Sequence, residues 1–175
     1  MTRTWTSLGI FAAFVFFASL STLAQDHPTP GADERVQRLA EFLTGVKLTG
    51  HFTVKGQPLD RLTPEEYVIL QAEKGSEGDF WIITARIKYG GKDFTLPMPL
   101  EIKWAGNTPV ITVDRLTLPG MGTFDARVII RPDGYAGTWQ HDDTGGHLFG
   151  TIEKLTPDEL AEMRKPVRQR DDKVP

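Results

Sequence analysis

The chain has 175 residues, 39% of them apolar and 25% charged, with a formal net charge of −3 and no cysteine. That length suits one domain. The missing cysteine excludes a disulfide framework, a thiolate zinc site and a thiol nucleophile, and the charge balance argues against a basic nucleic-acid surface.

Residues 1–7 carry Arg3, residues 8–20 form an uncharged apolar run, and Ser21, Thr22, Leu23 and Ala24 form a small-residue segment before Gln25. This three-part layout reads as a secretory signal, residues 1–24, cleaved before Gln25. The apolar run is short of the ~20 residues that a spanning helix needs. The expectation is therefore a secreted or periplasmic chain with no stable membrane span once the signal is removed; an uncleaved anchor is the other reading.

Residues 25–31 are polar and proline-bearing and read as a linker. Residues 32–43 place Val36, Leu39, Ala40, Phe42 and Leu43 near helical spacing, with Asp33 and Glu34 in the first turn and Gly45 to end the helix. From Val46 the period falls to two: Val46, Leu48, Gly50, Phe52 and Val54 alternate with polar residues. Further strands are expected at 67–73, 80–89, 94–104, 110–118, 124–130, 135–141 and 147–155. Gly or Pro turns separate them, including a Gly90-Gly91 hairpin. In the fourth, Phe94, Leu96, Met98, Leu100, Ile102 and Trp104 share one face. Pro97 and Pro99 on the other face predict an edge or sharp bend, because proline cannot donate to a ladder.

Leu62-Thr63-Pro64-Glu65-Glu66 and Leu155-Thr156-Pro157-Asp158-Glu159 both have the form of a helix start. The first predicts one helical turn and the second a terminal helix to about residue 165. Residues 166–175 are charged and read as a disordered tail. The fold class is thus mainly β, an antiparallel up-and-down meander of eight or nine strands with short N- and C-terminal helices. It forms one domain over residues 32–165. Short connections favour a barrel, with a β-sandwich as the alternative.

Chemistry is sparser. A last hairpin symmetric about Thr144 would pair His141 with His147 and Trp139 with Phe149 on one face. The two histidines would then be candidate metal ligands beside Asp142 and Asp143; the competing reading is two histidines capping a hairpin end. Ser76 lies in a turn with no adjacent base. Glu65-Glu66 and Asp142-Asp143 are adjacent pairs that point apart on a strand and read as solvated turns or caps, not as facing acids. Gly120-Met121-Gly122 lacks the lysine of a phosphate loop. It reads either as a lid tip or as a Pro-Gly turn with Met121 tucked inward. No cofactor is implied and no catalytic constellation is read.

Gly137-Thr138-Trp139, a helix near each end and about eight antiparallel strands together resemble the calycin group, lipocalins and avidin-like barrels. In lipocalins the Gly-x-Trp lies on the first strand, and here it lies on the penultimate one, so no site residue is carried over. Residues 145–150 also look like those of uncharacterised secreted bacterial proteins, which implies no activity.

Three functions follow. The first is a barrel binding a small, largely apolar ligand, lined by Trp81, Ile83, Phe94, Met98, Trp104, Trp139 and Phe149. The second is a filled β-domain acting as an envelope structural or protein-interaction module, its partner unspecified. The third is a His-based metal-binding protein or hydrolase.

Overall fold

A computed structural model describes residues 31–89 and 92–165. The expected signal segment, most of the expected linker, the expected Gly90-Gly91 turn and the expected tail at 166–175 lie outside the described residues. The elements run α1 (Ala32–Leu43), β1 (Val46–Phe52), β2 (Thr63–Lys74), β3 (Phe80–Tyr89), β4 (Lys92–Ala105), β5 (Thr108–Leu118), β6 (Gly122–Ile130), β7 (Gly134–His141), β8 (Thr144–Lys154) and α2 (Pro157–Met163). Each strand pairs antiparallel with the next, and β1 pairs with β8, closing the meander into an eight-stranded barrel. Closure excludes the sandwich.

The alternation legible in the sequence becomes inside and outside. Val46 and Leu48 on β1, Trp81, Ile83, Ala85 and Ile87 on β3, and Leu100 and Ile102 on β4 are buried. The alternate residues face outward and carry ion pairs such as Arg86–Asp93 and Lys88–Glu66. An apolar interior under a charged exterior is the reverse of an outer-membrane barrel. Among the described residues, no helix is long and apolar enough to cross a membrane.

The two ends of the barrel differ. Helix α1 lies at the end where β1 begins, and buries Leu39 and Leu43, each worth about 2 kcal/mol. They join Val46, Trp81, Ile102 and Ile130 in one packed floor. Gly45 turns the chain from helix to strand with φ 77°, and its N–H donates to the Ile69 carbonyl. Helix α2 carries the expected capping box, Thr156 with Glu159, behind Pro157. It buries none of its residues and lies outside the barrel, where Arg164 donates to the Leu70 carbonyl.

One expectation about the elements needs correction. Residues 62–66 form no helical turn: β2 starts at Thr63, and Phe52, His51 and Gly50 of β1 pair with Thr63, Pro64 and Glu65. Pairing to β1 supplies partners that an isolated turn lacks. The edge expected at Pro97 and Pro99 is present on one side of β4 only: on the other side they pair with Thr84 and Ile82 of β3. On the open side, β4 meets β5 only from Glu101 to Ala105. Both prolines lie in the stretch with no β5 partner, where a missing N–H costs no ladder bond.

Candidate functional site

Above the packed floor the interior is not filled. A cavity of about 670 Å³ runs to the opposite end of the barrel, within the roughly 300–1,000 Å³ range of small-molecule sites. Its walls are mainly apolar, with Leu48, Ile69, Ile83, Phe94, Met98 and Val128 among them. Phe52, Met121, Phe124, Trp139 and His141 stand nearer the mouth. Trp139 is fixed there by an edge-on contact with Phe52, ring centroids 5.3 Å apart, and its indole N–H donates to the Thr53 carbonyl at 3.1 Å.

Of the expected lining residues, Ile83, Phe94, Met98 and Trp139 reach the cavity. Trp81, 1% exposed, belongs to the floor. Trp104 has inward parity but lies at the closed end, with the Arg35 guanidinium of α1 stacked over its ring at 4.2 Å. Phe149 is 43% exposed and faces outward.

The error at Phe149 is one of register. The β7–β8 hairpin turns through Asp142 and Asp143, so His141 pairs with Thr144, Thr138 with His147 and Trp139 with Gly146. Asp142 adopts the left-handed backbone, φ 50°, which Asp tolerates. An odd shift from the expected pairing turns every β8 side chain to the other face. His147 and Phe149 therefore point out while His141 points in, and the register that would join the two histidines does not form. Among the described residues, no group of three or more His, Asp or Glu side chains is placed to hold a metal.

His141 instead ties down the rim. Its Nε2–H donates to the Met121 carbonyl at 2.6 Å, and its ring stacks on Phe124 at 4.3 Å. Residues 118–121 form the Pro-Gly turn: Met121 N–H donates to the Leu118 carbonyl at 2.9 Å, and Gly120 has φ 73°. Met121 reaches the cavity from this turn. Asp142 accepts from Thr123 N–H at 2.9 Å and donates its own N–H back to the Thr123 carbonyl. Gly122 is obligatory, with φ 97° and no room for a Cβ beside His141 and Asp142.

The polar feature of the wall is Glu65, which sequence reasoning placed in a solvated cap. It is 4% exposed and lines the cavity. Its Oε2 accepts from Tyr67 Oη at 2.8 Å and its Oε1 from Tyr135 Oη at 2.8 Å. Burial pushes the Glu65 carboxyl above the ordinary glutamate range, against the lowering effect of the two phenols and of His51. Burial and the neighbouring Glu65 push the Tyr135 hydroxyl up as well. Glu66, the next residue, points out to Lys88 at 2.7 Å. The signal in the sequence was Glu65-x-Tyr67 at strand spacing; the Tyr135 partner is 70 residues away and had none.

No protein-family model, curated protein or solved structure gives a significant match to this chain. The closed eight-stranded antiparallel barrel is compatible with a calycin-like architecture.

Proposed function

We propose that this protein is a secreted or periplasmic binding barrel that holds one small, largely apolar ligand. The observation that carries the reading is the cavity of about 670 Å³ within a closed, otherwise packed barrel. Protein interiors pack as densely as organic crystals, so a purely structural β-domain of this size has reason to fill that space with side chains. The export reading rests on residues 1–24, with their short basic start, uncharged apolar run and small-residue end.

The test is titration of the mature chain with diphenylhexatriene, an uncharged apolar fluorophore. The expected result is saturable binding of one molecule per chain. Ala126→Trp, which places a large side chain into the cavity wall, should abolish it while the far-ultraviolet β spectrum persists. A folded protein that shows no saturable binding overturns the reading in favour of the structural or interaction module.

A further inference from the structure

The binding reading leaves open which polar group the ligand carries, and the cavity walls bear on that. Among the described residues, the acidic side chains lining the cavity are Glu65, Asp125, Asp142 and Asp143, with the imidazole of His141 at the rim; no lysine or arginine lines it. Asp125 accepts from Arg115 N–H and Asp142 from Thr123 N–H, so both shape the rim while adding negative charge to it. Glu65 is different: its hydrogen bonds come from two phenols, and His51 acts on it by charge alone.

A carboxylate offers about four acceptor positions. Two on Glu65 are taken by Tyr67 and Tyr135. The phenols fix the carboxyl plane against the wall, and among the described residues no third donor takes up the remaining acceptor capacity. A buried carboxylate without a cationic partner is costly. A ligand cation would offset that cost, and it would enter past an acidic rim that raises the local concentration of cations.

The geometry points to a ligand with an apolar body and one protonated alkylamine, the ammonium seated on Glu65. The inference rests on the binding reading above. It excludes fatty-acid-like ligands, whose carboxylate would meet Glu65 and the rim with like charge. A bare metal ion is poorly served, because Glu65 brings no second or third ligating side chain with it.

The test is displacement of diphenylhexatriene from the mature chain by decylamine, decanol and decanoate, which share one tail and differ in headgroup. Decylamine should bind roughly tenfold more tightly than decanol, and decanoate more weakly than either. In Glu65→Gln, with each competitor read against that variant's own diphenylhexatriene affinity, decylamine should fall level with decanol. Equal binding of amine and alcohol, or a preference that survives Glu65→Gln, overturns the amine assignment and leaves the barrel's binding role standing. Failure to bind diphenylhexatriene at all removes both.

If Glu65→Gln does not fold, the wild-type preference is followed with pH instead. The groups acting on Glu65 are Tyr67 on its own strand, Tyr135 on β7 and, by charge from the outer face of β1, His51; Asp125, His141, Asp142 and Asp143 lie at the rim. An Asp142→Asn/Asp143→Asn variant separates the rim from the wall. In that variant the amine preference should still shrink as Glu65 protonates on acidification. A preference unchanged between about pH 8 and about pH 4 overturns the assignment.

Discussion

The Tyr135 hydroxyl donates to Glu65 across two intervening strands, over a pair of glycines. Tyr135 pairs with Gly150, Gly150 with Gly50, and Gly50 with Glu65, so four residues on four strands form one row. A Cβ on Gly150 would lie 2.7 Å from Tyr135 Cε1, and one on Gly50 would lie 2.5 Å from Tyr135 Oη. The bare backbone of the glycines is what lets the tyrosine lie along the wall and reach the carboxyl. Gly150→Ala should therefore destabilise the barrel by about 1–3 kcal/mol, measured by urea unfolding. Tyr135→Phe should cost about 1.5–3 kcal/mol through the lost hydrogen bond to a buried carboxyl. A Cβ on Gly150 would also lie 2.3 Å from the Thr49 carbonyl oxygen, so much of the Gly150→Ala cost should remain in the Tyr135→Phe background and only the part that comes from displacing the hydroxyl from Glu65 should fall. Fully additive losses would show that the row does not act as a unit.

Glu65 should make the protein less stable as pH rises. Its carboxyl holds a proton more tightly in the folded chain than in the unfolded one, because burial disfavours the charge. Below the ordinary glutamate range both states are protonated and the group is neutral to stability. Through the window between the ordinary and the raised value the folded chain binds more protons, so unfolding free energy falls with pH. Above that window the loss is complete. Glu65→Gln lacks this slope, so the variant should gain on the wild type across the window. A constant difference from about pH 4 to about pH 8 would contradict the assignment.

Asp93 should show the opposite sign. Its carboxylate takes two bonds from the Arg86 guanidinium, at 2.8 and 2.7 Å, and the arginine holds it below the usual aspartate range. The stabilisation is present above the unfolded-state value and is lost as pH falls through the depressed folded value. Asp93→Asn should cost about 1 kcal/mol or less at neutral pH, and the cost should vanish on acidification. A penalty that persists in acid would mean that the side chain acts by packing.

His141 should govern the mouth. His141→Phe keeps a ring against Phe124 but removes the donor to the Met121 carbonyl. Amide exchange across residues 120–123 should speed up by about tenfold, the equivalent of one neutral hydrogen bond, and diphenylhexatriene should dissociate faster. Unchanged exchange would show that the Pro-Gly turn holds itself.

The strands, their inward faces and the two helices were legible because period-two patterning and Gly or Pro turns are local. Face assignment on β8 was not, because it depends on whether the last hairpin is centred on Thr144, with residues 142–146 as its loop, or between Asp142 and Asp143. Two residues, Asp142 and Asp143, sent His147 and Phe149 outward. The cavity was also beyond the sequence: Trp81 and Trp139 both have inward parity, yet one is packed in the floor and the other lines open space. The clearest case is the string Leu-Thr-Pro-acid-Glu, which occurs twice. At 155–159 its own chemistry suffices: threonine caps, proline starts and glutamate closes the box of α2. At 62–66 the same residue types enter a strand at Thr63, because β1 offers its backbone to Thr63 and Pro64, and Tyr67 and Tyr135 donate to the Glu65 carboxyl. Capping needs only neighbours in the chain, whereas burying Glu65 needs a phenol from the other side of the barrel seam, and only the closed fold brings it there.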